Sequence, residues 1–187
     1  MERYRFYSDG AVFFVTFSVV EWLPVFVSGN SCKIMSDSLA FCHDKKGLRI
    51  NASVVMPTHF HAILFQESFR AMELERVVTD FRKFTGRQLG DFCETHLPRC
   101  FSQTFRSAAG ADRKRRFWQP SRHPVQVETE SFWRTKLDYL HENPSRKGLV
   151  ARAESWRFSS AKHWLSIDGP PAIGEVESLV PLSAMDW

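Results

Sequence analysis

Residues 48–66 hold two apolar, β-branched runs, Leu48 to Met56 and His59 to Gln66, parted only by Pro57-Thr58. Runs of that length and composition commit the middle of the chain to a sheet. Proline cannot donate into a strand ladder, so the first run ends where the second begins. Two arrangements fit: neighbouring antiparallel strands, or one strand bent at the proline. Within the second run, His59 and His61 are two residues apart and therefore point to the same side of a strand. A half-buried strand normally gives such positions to packing. Two imidazoles aimed together suit a pair of nitrogen ligands to a divalent metal. The plainer alternative is two polar residues on a solvated face.

Other segments surround this pair with alternating strands and helices. Ala11 to Ser18 is β-branched and aromatic and predicts a strand. Gly29-Asn30-Ser31 offers a cap for a helix over Cys32 to Lys46, which Gly47 closes. Ala71 to Leu89 predicts an amphipathic helix with Leu74, Val77, Val78, Phe81 and Phe84 as its apolar stripe. The stretch from Asp91 to Arg116 has small residues around Gly110 and a basic run, and predicts a loop in part. Pro124 to Glu128 predicts a short strand, and Thr129-Glu130 opens a helix through about Glu142, stopped by Asn143-Pro144. The order β-α-β-β-α-β plus a terminal helix predicts an α+β, ferredoxin-like split βαβ plan with a central antiparallel sheet. Gly169-Pro170-Pro171 marks the boundary between a domain over 1–165 and a C-terminal tail over 166–187.

With 187 residues and no apolar run long enough to span a bilayer, the chain suits one domain with no membrane partner. Its start, Met1-Glu2-Arg3-Tyr4-Arg5-Phe6, lacks the apolar core of an export signal. The four cysteines form no Cys-x-x-Cys pair, which argues against a zinc knuckle and for reduced thiols in the cytoplasm. Charge is uneven. Residues 113–162 carry 12 Lys/Arg against 5 acids, a surplus of +7, which leaves −3 for the rest of a chain whose formal net charge is +4. One half of the protein is thus suited to a polyanion.

Tyr139 lies late in the helix opened by Thr129, and Asn143 follows one turn later on the same face. A phenol can attack an electrophile covalently, and a bond from phenol to phosphate conserves energy for a later transfer. Such an attack needs a polarised phosphate. A divalent cation held by His59, His61 and one oxygen ligand supplies that polarisation. Asn143 is the leading oxygen donor, with Glu142, three residues from Tyr139, as the competing carboxylate.

Met56-Pro57-Thr58-His59-Phe60-His61, followed by Tyr139-Leu140-His141-Glu142-Asn143-Pro144, resembles the IS200-like single-tyrosine HUH transposases. Within that group it is most similar to the REP-associated tyrosine transposases. Phe117-Trp118-Gln119 and Trp156-Arg157-Phe158-Ser159-Ser160-Ala161 resemble the segments flanking their catalytic helix, so the likeness runs from about Ala11 to Leu165. The resemblance implies that His59 and His61 are metal ligands and that Asn143 completes the coordination of Mg²⁺ or Mn²⁺. It implies that Tyr139 is the nucleophile, cutting single-stranded DNA beside palindromic hairpins, becoming joined to the 5′ phosphate and releasing a 3′ hydroxyl. A nucleoid-associated protein working as a monomer or a homodimer follows from the same likeness. His123-Pro124 departs from the sequence common in relatives, and the connection over 91–116 is enlarged.

Arg82, Lys83 and Arg87 on the second helix, Arg115, Arg116 and Arg122 near Trp118, and Arg146-Lys147 after the catalytic helix are candidate phosphate contacts, with Trp118 as a platform for an unpaired base. Two other readings compete. One is a hairpin-binding regulator that keeps the fold without transposition. The other is an unrelated His-x-His metallohydrolase, which lacks further ligands at telling spacings.

Overall fold

The computed structural model describes residues 11–111, 113–121 and 124–165. Four strands form one antiparallel sheet in the order β2-β3-β1-β4: β1 (Val12–Ser18), β2 (Leu48–Met56), β3 (His59–Gln66) and β4 (Val125–Gln126). The helices are α1 (Gly29–Lys46), α2 (Ala71–His96), α3 (Arg99–Ser107), α4 (Glu130–Arg146) and α5 (Ala161–Leu165). This is the α+β split βαβ arrangement that the sequence predicts. The two central runs are neighbours, with Met56 facing His59 across the turn, so the bent-strand alternative does not apply.

Each face of the sheet carries its own core. Phe13, Val15 and Phe17 of β1 and Phe60, Ala62 and Leu64 of β3 pack with Met35, Leu39, Leu74, Val78 and Phe81 of α1 and α2. The alternate residues, Val12 and Phe14 of β1 with Ile63 and Phe65 of β3, pack with Trp133 and Leu140 of α4. Period-2 alternation therefore directs His59 and His61, in phase with Ile63 and Phe65, toward α4. Strand β2 changes phase midway. Its register slips between Ile50 and Ala52, so Ile50 joins the first core and Ala52 the second. Asn51, the extra residue, is 1% exposed; its side-chain oxygen accepts from Trp133 Nε1 at 2.8 Å and its carbonyl accepts from Trp164 Nε1 at 3.0 Å. The bulge thus fastens α4 and α5 to the sheet.

Helix α1 starts at Ser28, whose hydroxyl accepts from Ser31 N, and ends at Gly47 with φ +64°, a left-handed position where glycine has no Cβ penalty. Several boundaries differ from the sequence expectation. Helix α2 runs to His96 rather than Leu89, and α3 occupies part of the region expected to be a loop. Phe84 is 47% exposed; Thr85, fully buried and donating to the Phe81 carbonyl at 2.7 Å, takes its place in the stripe. The strand expected over 124–128 shrinks to Val125–Gln126. Helix α4 continues through Pro144 to Arg146, because a proline so near the end costs one ladder bond while its ring is buried. Among the described residues no helix is long and apolar enough to cross a membrane. The expected boundary at Gly169 and the tail beyond it lie outside the described residues, as do Arg122 and His123.

Candidate active site

The register of β1 on β3 sets the first layer of the site. Thr16 faces His61 directly, and Thr16 Oγ1 lies 2.8 Å from His61 Nδ1. His61 is 4% exposed, and its other nitrogen, Nε2, is buried with no hydrogen-bond partner. A buried polar atom without a partner is costly, and a ligand reaching Nε2 would relieve that cost. If Nδ1 carries the proton and donates to Thr16, Nε2 presents a lone pair. That is the form in which imidazole ligates a metal. His59 is arranged alike: its Nδ1 lies 2.9 Å from Thr58 Oγ1, and its ring centroid is 4.6 Å from that of His61.

Both imidazoles are held neutral. Burial, with a contribution from the Lys147 charge, lowers His59 to about 4. Burial, followed by the charges of His59 and Lys136, lowers His61 to about 3. Near neutral pH both rings therefore offer unprotonated nitrogens, a pair of donors suited to a divalent cation; among the described residues no group of three or more His, Cys, Asp or Glu side chains forms a metal site around them.

Helix α4 supplies the second layer. Its N-terminus is capped by Thr129, whose hydroxyl accepts from Phe132 N at 3.3 Å. Two turns and more along, Tyr139 stands 38% exposed with its ring centroid 5.5 Å from His61 and 6.0 Å from Phe14, edge-on to both. One turn later Asn143 is 3% exposed, while Glu142 beside it faces solvent. His141, 5% exposed, is tied through Nε2 to Ser160 Oγ at 2.9 Å, which joins α4 to the segment after it.

Two cations flank the phenol: Arg146, which the sequence already offers as a phosphate contact, and Lys136, which it does not. Lys136 Nζ lies 6.0 Å from the Tyr139 ring centroid and 5.1 and 5.0 Å from those of Phe14 and Phe132. Arg146 Cζ lies 4.9 Å from the Tyr139 centroid on the other side. Positions three before and seven after the tyrosine share its helical face, a spacing that would have revealed Lys136.

The expected nucleic-acid contacts separate into groups. Arg82, Lys83, Arg87, Arg115, Arg116 and Trp118, with Arg106, Arg113 and Lys114, line a groove of about 1120 Å³ beside α2, on the sheet face opposite α4. Arg115 is bound to Asp91, Glu94 and the Arg87 carbonyl, and Arg82 donates to the Gln119 carbonyl at 2.6 Å while lying over Phe17. Lys83 and Arg87 are exposed, and Arg116 is partly so. Trp118 is not presented as a platform for a base. It is 6% exposed, stacks on Phe26 and donates from Nε1 to Thr85 Oγ1 at 3.1 Å.

No family model matches the chain, and no curated protein matches it in sequence. Among solved structures it is similar to a REP-associated tyrosine transposase bound to a REP hairpin, with a TM-score of 0.59 and 18% identity over 96% of this chain and 99% of that one. At that identity the likeness speaks to the fold.

Proposed function

We propose that this protein is a metal-dependent single-stranded DNA endonuclease and strand transferase that works through Tyr139 beside DNA hairpins. The observation that carries the reading is the buried, unpartnered Nε2 of His61 with the Tyr139 ring 5.5 Å from the same imidazole. The fold it shares with a transposase bound to a REP hairpin supports the substrate class.

In this reading His59, His61 and Asn143 hold Mg²⁺ or Mn²⁺, which when bound draws charge from a non-bridging phosphate oxygen. Tyr139 Oη attacks the phosphorus, forming an O–P bond as the bond to the 3′ oxygen breaks. The phenolic proton passes to solvent, the departing 3′ oxygen takes up a proton, and the 5′ phosphate stays on the tyrosine. Attack by another 3′ hydroxyl reverses the exchange and joins strands. Lys136 and Arg146 place positive charge on both sides of the phenol, where charge develops on the phosphoryl group. Lys83, Arg87 and Arg116 in the groove on the far face hold flanking phosphates.

The test is incubation with single-stranded hairpin DNA and Mn²⁺, followed by a gel or mass assay for a covalent adduct. Wild-type protein is expected to form the adduct, and Tyr139→Phe to bind DNA without forming it. An adduct in Tyr139→Phe would sink the assignment. Tight hairpin binding by wild type with no cleavage in either metal would favour the DNA-binding regulator.

A further inference from the structure

Trp22 stands beside His59, just past the end of β1. The chain leaves β1 at Ser18, which faces His59, and at once makes a short 3-10 turn over Val20–Trp22. Glu21 and Trp22 both adopt left-handed backbone, with φ of 51° and 53°. For side chains larger than glycine this costs on the order of 1–2 kcal/mol per residue. Strain of this kind persists only where surrounding contacts impose it, and it gathers at functional sites.

The contacts here are specific. Val19 N donates to the Thr58 carbonyl at 2.9 Å, Val20 N to the Phe117 carbonyl at 2.9 Å, and Phe26 N to the Pro57 carbonyl at 3.0 Å. The turn is therefore pinned to the β2–β3 hairpin immediately before His59. Its product is an indole 53% exposed, beside the candidate site. Among the described residues its one ring contact is His59, at 5.7 Å between centroids and nearly perpendicular. The rings run Trp22, His59, His61, Tyr139, with successive centroid separations of 5.7, 4.6 and 5.5 Å.

An exposed indole held at a backbone cost is not there to fill a core, since burial would recover the hydrophobic gain that exposure forgoes. A broad π face at the open end of a metal-ligand pair suits an unpaired nucleobase, because every base has a face to stack on. We propose that Trp22 is a stacking platform for the unpaired base next to the phosphate that Tyr139 attacks. This rests on the proposed function for the identity of that phosphate. Trp22, not the buried Trp118, is the aromatic that meets the DNA strand. The contact is tolerant of base identity and fixes how far the strand advances past the histidines.

The test uses Tyr139→Phe protein, in which cleavage cannot intervene, and an eight-nucleotide oligothymidylate as the probe. Tryptophan emission is expected to be quenched on binding, and Trp22→Phe to lose most of that quenching while keeping affinity within a few-fold. Trp22→Ala is expected to bind roughly ten-fold more weakly, the usual range for one lost base stack. The salt dependence of binding should stay unchanged, since no phosphate contact is removed. Equal affinity and undiminished quenching in the Trp22 variants would overturn the proposal. So would a shallower salt dependence in Trp22→Ala, which would mean a displaced cation rather than a lost stack. If wild-type protein forms no covalent adduct, the nuclease reading fails on its own, and the binding measurements still decide whether Trp22 meets a base.

Discussion

Two buried imidazoles make the stability of the metal-free protein depend steeply on pH. His61 and His141 are 4% and 5% exposed, and burial lowers them from 6.5 to about 3 and about 4. In the unfolded chain both titrate at their ordinary value, so below pH 6.5 the unfolded state takes up protons that the fold refuses. Stability is complete above that pH and falls as the pH drops from 6.5 toward 4. Each imidazole contributes about 1.4 kcal/mol per pH unit over that window. Between pH 6.5 and 4.5 the pair therefore removes about 5 kcal/mol, comparable with the whole stability of many domains, about 5–15 kcal/mol. The assay is urea unfolding in EDTA at half-unit steps of pH. His141→Gln, which keeps a polar group near Ser160, is expected to lower stability near pH 7 and to reduce the slope by about 1.4 kcal/mol per pH unit. Carboxylates in the unfolded chain titrate mainly below this window, so they do not mimic the effect. Stability that is flat from pH 6.5 to 4.5 would refute the reasoning, as would imidazole NMR signals of folded His61 titrating near 6.5.

In the proposed function, metal should stabilise the fold through His61. Mn²⁺ at a hundred times its dissociation constant is expected to add about 2.7 kcal/mol, seen as a raised melting temperature in wild type and lost in His61→Asn; an equal rise in the variant would move the site elsewhere. Thr16→Val removes the hydroxyl 2.8 Å from His61 Nδ1, and calorimetry should show Mn²⁺ binding weakened roughly 10- to 100-fold. Unchanged affinity would mean that Thr16 does not orient the ring. Gly47→Ala puts a Cβ at φ +64° within 2.8 Å of Gln66 Nε2 and Glu67 Oε1, and should cost roughly 1–2 kcal/mol in denaturant unfolding. A neutral result would show that the α1–β2 turn relaxes freely.

The parts of the fold legible in the sequence are those where one strong local signal governs. Strands β2 and β3 end where the sequence predicts because β-branched composition and a Pro-Thr break agree. Helix α2 runs past Leu89, and Gly90 sits inside it with the Arg115 side chain where a Cβ would point, a tertiary contact that has no local signal. Pro144 reads as a terminator and is instead tolerated two residues before the helix end. At the site, the His59–His61 pair and the Tyr139–Asn143 spacing need only strand and helix periodicity to be seen. Whether Trp118 or Trp22 faces solvent is decided by tertiary packing. The left-handed backbone at Glu21 and Trp22 has no sequence signal, since neither is a residue that favours it.

Strand β1 shows how the two faces of this sheet stay distinct and yet are held in fixed relation to one another. Its even residues Phe14 and Thr16 touch His61, while Phe17 lies under the Arg82 guanidinium at 5.0 Å and belongs to the core below the basic groove. The sheet keeps groove and histidines a fixed distance apart, because both are built on consecutive residues of a central strand with neighbours on each side. Just past the end of that strand, the backbone turns through Val19 to Trp22 while Gln119 N donates to the Ser18 carbonyl at 2.9 Å. The segment carrying the groove's Trp118 is thereby fastened at the point where Trp22 departs toward His59. The backbone strain at residues 21 and 22 is thus local to the junction between the two surfaces, and in the proposed function a rigid turn there would hold a bound strand in register with Tyr139.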